Sequence, residues 1–151
     1  MSQPQPNQSP NFRRFADWCL HQDSLSPKAR HTVEVLLAEV ITSDCYQAEQ
    51  RLASVIRLGL NYQEISDLSL LSTLTNLTYL ELGNNQISDI SLLSSLRKLR
   101  YLEISDNSIA DFCPLSGLTN FTKLFIWHNK NDLDLSQFST LLNLTLLRTS
   151  H

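Results

Sequence analysis

No stretch of this chain stays apolar for as long as 18 residues, so nothing in it reads as a transmembrane helix. Glycine is nearly missing as well. There are three, none before Gly59, which suits a helical opening segment because glycine weakens helix interiors. Positive charge is not in excess. The net charge is −3, and no strong basic field exists to attract nucleic acid or anionic lipid. The opening residues, MSQPQPNQSP, lack the basic and then apolar stretches of a secretory signal. The three cysteines, Cys19, Cys45 and Cys113, are odd in number and widely spaced. Neither a disulfide framework nor a CxxC metal knuckle is expected from them, and as free thiols they fit a reducing compartment. The expectation is a soluble, cytoplasmic protein with neither a nucleic acid nor a membrane as its partner.

Catalytic signatures are missing too. There is no phosphate loop, no HExxH and no nucleophile elbow, so no cofactor and no metal are expected. Cys19-x-His21 is too close in sequence to share a helix face, and no third group orients it. The chain is not expected to be an enzyme.

What is present divides into three parts. Residues 1–10 are rich in Gln, Pro, Ser and Asn and read as a flexible tail, since they cannot bury enough apolar area to offset ordering entropy. Residues 11–54 read as a helical N-terminal cap. Asn11 can start a first helix that carries Phe12, Phe15 and Cys19 on one face. Ser26-Pro27 starts a second, with Val33, Leu36, Leu37 and Val40 as its apolar stripe. Ser43-Asp44 starts a third, lined by Cys45, Ala48 and Leu52. Residues 55–151 repeat with a period of 22 residues: about four units and a partial one.

The repeat is carried by aligned columns. Val55, Leu77, Leu99 and Phe121 share one position; Leu58, Leu80, Leu102 and Leu124 another; Leu60, Leu82, Ile104 and Ile126 a third. Ile65, Ile87 and Ile109 follow, then Leu68, Ile90 and Phe112. The pattern L-x-x-L-x-L-x-x-N-x-I resembles the leucine-rich repeat, and the N-x-I-x-D-I variant is similar to the bacterial, internalin-like class. That resemblance implies an α/β solenoid, with a parallel sheet on the concave face and short helical turns on the convex face. It also implies a non-catalytic protein–protein interaction module that offers the concave sheet to a protein or peptide.

Alternation at Leu80-Glu81-Leu82 has the period of a strand, so the leucines face inward and Tyr79, Glu81 and Gly83 face outward. Asn85, Asn107 and Asn129 close each strand where the backbone turns inward and needs hydrogen-bond partners. Gln63 holds that place in the first unit, where a looser turn is expected. The outward positions form rows: Arg57, Tyr79, Tyr101, Lys123; then Gly59, Glu81, Glu103, Phe125; then Asn61, Gly83, Ser105, Trp127; and Tyr62, Asn84, Asp106, His128 at the strand exits.

Phe125, Trp127 and His128 stand where such a repeat places polar residues. With Tyr79 and Tyr101 they make an exposed aromatic patch, the kind of surface that marks a contact site. The degenerate last unit, with Asn131 at an Ile position, offers the plainer reading that these rings pack over an irregular end. Glu81 and Glu103 supply charge selectivity; without a His or a third carboxylate they read as solvated carboxylates rather than a metal site. The expected partner-binding residues are thus Tyr79, Glu81, Tyr101, Glu103, Phe125, Trp127 and His128. Arg97-Lys98-x-Arg100 offers either a phosphate site or a solvated edge, and the acidic surround favours the edge. Two further readings stay open: self-association, as a homodimer, through an uncapped C-terminal repeat edge, and a truncated repeat array.

Overall fold

Two short polar residues set the helical segment in place. Ser26 Oγ accepts a hydrogen bond from Ala29 N at 3.2 Å, and Asp44 Oδ1 accepts one from Gln47 N at 2.9 Å. Each satisfies one of the N–H groups that a helix start leaves unpaired. The helices are α1 (Phe15–Leu20), α2 (Pro27–Glu39) and α3 (Cys45–Ala53). These belong to a computed structural model of the chain, which describes residues 12–130, 135–138 and 146–148. The expected tail at residues 1–10 and the Asn11 cap lie outside the described residues. Helix α1 begins instead after Arg14, with Asp17 accepting from the backbone N–H groups of Arg13 and Arg14.

The expectation of free thiols at Cys19 and Cys45 is not met. Cys19 in α1 and Cys45 in α3 form a disulfide, S–S 2.04 Å, with Cα atoms 5.5 Å apart. Cys113 is not in a disulfide and is exposed. Wide sequence spacing misled because helix packing brings the two sites together across 26 residues. The case for a reducing compartment drew on free thiols and loses that support.

Among the described residues, five parallel strands follow in sequential order: β1 (Arg57–Gly59), β2 (Tyr79–Glu81), β3 (Tyr101–Glu103), β4 (Lys123–Phe125) and β5 (Leu146–Arg148). The central residue is buried in each of the first four, with the flanking ones outside. The chain returns through 3₁₀ turns at Ser69–Thr73, Ser91–Ser95, Cys113–Leu115 and Leu135–Phe138. Asp67, Asp89 and Asp111 fasten the first three turns, each accepting from the backbone N–H two residues on at 2.8 to 2.9 Å. The leucine and isoleucine columns between sheet and turns form one continuous core with Phe15, Val33, Leu36 and Leu52 of the helices.

Inside that core runs the asparagine ladder. The buried Asn107 donates through Nδ2 to the carbonyls of Leu82, Ile104 and Ser105, and its Oδ1 accepts from Ile87 N. Asn85 and Asn129 repeat the arrangement one unit to either side. Each amide thus ties its own strand exit to the unit before it, satisfying groups that would be costly to bury unpaired.

The first turn is not the looser one expected from Gln63. Asn85 Oδ1 accepts from Gln63 N at 3.0 Å, and His31 Nε2 donates to the Gln63 carbonyl at 2.6 Å. Thr32 Oγ1 donates to the Asp67 carbonyl at 2.8 Å. Helix α2 and the second repeat therefore supply what the missing asparagine would have.

Candidate functional site

Strand register aligns the outward rows as the repeat demands. Arg57, Tyr79, Tyr101 and Lys123 are direct partners, and so are Gly59, Glu81, Glu103 and Phe125. Because the strands stand about 4.8 Å apart, side chains along a row meet. The Tyr79 and Tyr101 rings stack with centroids 4.1 Å apart and planes 10° from parallel. The Arg57 guanidinium covers the other face of Tyr79, 4.5 Å from its centroid. Phe125 tilts against Tyr101 at 5.4 Å, and Trp127 meets Phe125 edge-on at 5.5 Å. The band crosses from the first row to the second and third at β4, where Lys123 holds the first-row position.

Every ring in the band is half-buried. That modifies the expectation of an open aromatic patch. The tyrosine faces cover one another, which leaves mainly their edges to solvent. Trp127 is half-buried and is not fully enclosed.

The two glutamates do not face each other as bare like charges. Glu81 leans towards β1: its carboxylate accepts from the Tyr79 hydroxyl and from Asn61 Nδ2, the latter at 3.1 Å. Glu103 leans towards β2 and accepts from Ser105 N at 2.7 Å. The glycines make room for this. A Cβ on Gly59 would stand 3.3 Å from Glu81 Oε2, and one on Gly83 would meet Glu103 Cγ at 3.3 Å and Asn61 Oδ1 at 3.1 Å. The third row is accordingly not open along its length, since Gly83 and Ser105 are buried beneath these side chains. The glutamate hydrogen bond, followed by burial, raises the Tyr79 pKa above the usual phenol value. Burial comes first among the causes that raise that of Tyr101.

The strand exits share a conformation. Tyr62, Asn84, Asp106 and His128 have φ of 58°, 54°, 55° and 52°. This left-handed region is adopted more readily by Asn, Asp and His than by other side chains with a Cβ. His128 is exposed, and its Nδ1 lies 2.9 Å from Asp106 Oδ1. The seven expected contact residues thus lie along one face, with His128 at its exit end. Arg57, Asn61 and Asp106 belong to the same constellation. They were legible as members of the rows, but pair contacts, not residue types, give them their roles. Among the described residues no cluster of metal-ligating side chains occurs.

Models of leucine-rich repeats match residues 54–97 and 95–111. An internalin C2 from Listeria monocytogenes superposes with a TM-score of 0.64 at 30% identity, over 83% of this chain and 56% of that one. The repeats are leucine-rich repeats of the bacterial, internalin-like class. A second Listeria monocytogenes internalin, InlF, matches at 30% identity and TM-score 0.69, over 78% of this chain and 35% of that one. InlJ of the same organism, at 24% identity and TM-score 0.63, covers 91% of this chain and 28% of its own and shares the fold. No curated protein sequence matches. The chain spans about half or less of the length of these internalins.

Proposed function

We propose that this leucine-rich-repeat protein binds a protein or peptide partner on its concave sheet, through the band of Tyr79, Tyr101, Phe125 and Trp127. The observation that supports this most is the continuity of the band: rings from β2, β3 and the β4 strand and exit touch in sequence across the face. Aromatic and arginine side chains supply much of the binding energy at protein interfaces. Glu81, Glu103 and His128 flank the rings and select for charge. The asparagine ladder fixes the strand exits before a partner arrives, so little ordering entropy is lost on association.

The test compares native protein with a Phe125→Ser/Trp127→Ser variant in affinity capture, with thermal unfolding run on both. Loss of a captured protein without loss of fold supports the reading. Capture unchanged by the variant contradicts it.

A second reading is favoured by one feature. Among the described residues, strand β5 is outermost in the sheet order, and β4 is its hydrogen-bonded neighbour. An open parallel edge is a pairing template, so two copies could join there as a structural dimer. Sedimentation at micromolar concentration decides this, because a monomer excludes it.

A further inference from the structure

Outside the concave face, one repeat departs from its neighbours in a way the fold does not require. The segment before β2 is Thr75-Asn76-Leu77-Thr78, and that before β4 is Thr119-Asn120-Phe121-Thr122. Between them stands Arg97-Lys98-Leu99-Arg100. In this entrance segment every outward polar position of the middle repeat is basic, while the corresponding segments of the flanking repeats hold short, uncharged side chains.

The backbone at these positions is indifferent to the exchange. Thr78 N bonds to the Ile56 carbonyl, Arg100 N to that of Thr78 and Thr122 N to that of Arg100, all at 2.8 Å. The side chains are not equivalent. Thr78 and Thr122 hydroxyls each donate to the carbonyl one repeat back, at 3.2 Å. Asn76 and Asn120 amides do the same to the carbonyls of Ala53 and Arg97, at 3.1 and 3.0 Å. The basic repeat gives up both bonds. Lys98 Nζ donates instead to Asn76 Oδ1 at 2.9 Å, which fixes the ammonium beside the neighbouring repeat. Among the described residues, none of Arg97, Lys98 and Arg100 forms an ion pair, and the Arg100 guanidinium makes no hydrogen bond.

Lys98 and Arg100 line a notch of about 650 Å³ with Thr78, Asn120 and Thr122. Three like charges in one repeat repel each other in the absence of an anion. We propose that this strand-entrance notch is a binding site for a phosphate group, free or as an ester. The Arg100 fork is suited to two oxyanion oxygens, and Lys98 supplies a held point charge. The flanks are Thr78, Asn120 and Thr122, whose hydroxyls and amide donate to backbone carbonyls. This site is distinct from the aromatic band and stands or falls without it.

The test follows backbone amide shifts of the whole protein while inorganic phosphate, or separately glucose 6-phosphate, is added to millimolar concentration at low salt. The expected result is saturable shifts at Thr78, Lys98, Arg100 and Thr122 that weaken as salt is raised. The matching variant takes its residues from the neighbouring repeats: Arg97→Thr, Lys98→Asn, Arg100→Thr. It should keep or raise the melting temperature and bind each probe at least about tenfold more weakly. Equal affinity for the two probes identifies a free-ion site; tighter binding of the sugar phosphate identifies an ester site. Absence of saturable shifts with both probes, or a variant that binds as the native protein does, overturns the proposal.

Discussion

Tyr79 and Tyr101 lie face to face on adjacent strands, with centroids 4.1 Å apart, and the Tyr79 hydroxyl donates to Glu81. Ionising Tyr79 would place a phenolate against a carboxylate, so its pKa is held above the ordinary value. A raised folded-state pKa contributes stability that is fully present below about pH 10, the unfolded tyrosine value, and is lost as pH rises through the folded pKa. Ultraviolet titration should therefore show a late-ionising pair of phenols. In Glu81→Gln the carboxylate is gone, and Tyr79 should ionise earlier. An unchanged titration curve would contradict the hydrogen bond.

The asparagine ladder makes a sharper stability prediction. Asn107 is buried and makes four hydrogen bonds to backbone groups. Asn107→Ala strands several buried partners at about 1–3 kcal/mol each, so a loss of at least about 3 kcal/mol is expected in urea unfolding. A loss under about 1 kcal/mol would mean that water or backbone shifts replace the amide.

How much of this was written in the sequence depends on the range of the interaction. The columns of leucine, the strand alternation and the asparagine positions repeat at a fixed period, so rows such as Tyr79–Tyr101 could be placed before any coordinates. The lean of Glu81 over Gly59 and of Glu103 over Gly83 could not, because it depends on space left by the neighbouring strand. Nor could the Cys19–Cys45 pairing, which is fixed by how α1 packs on α3. Gln63 misled for a related reason: its turn is held by His31 and Asn85, which lie far away in sequence.

The disulfide has a chemical consequence. Native protein should show one reactive thiol, Cys113, and three after reduction and unfolding. Replacing both Cys19 and Cys45 with serine removes a cross-link spanning 26 residues. A loss of about 2–4 kcal/mol is expected, of the size seen when such loops are opened. Three reactive thiols in the untreated native protein would contradict the pairing.

Tyr62 offers a gain instead of a loss. It is exposed, with φ of 58°, at the position where the next repeats carry Asn84 and Asp106. Tyr62→Asn should raise stability by about 0.5–1 kcal/mol, since asparagine tolerates the left-handed region better. A lower melting temperature would show that the ring makes contacts that outweigh its backbone strain.

Partner binding on the aromatic band requires that its rings stand outside the core. Trp127 is half-buried and meets Phe125 at 5.5 Å, a contact worth about 0.5–1.5 kcal/mol. The decisive measurement is paired thermal unfolding and partner capture for Trp127→Ala. The account predicts a cooperative transition lowered by only a few degrees, together with marked loss of the captured partner. A variant that fails to fold, or one that folds and captures the partner undiminished, would contradict it.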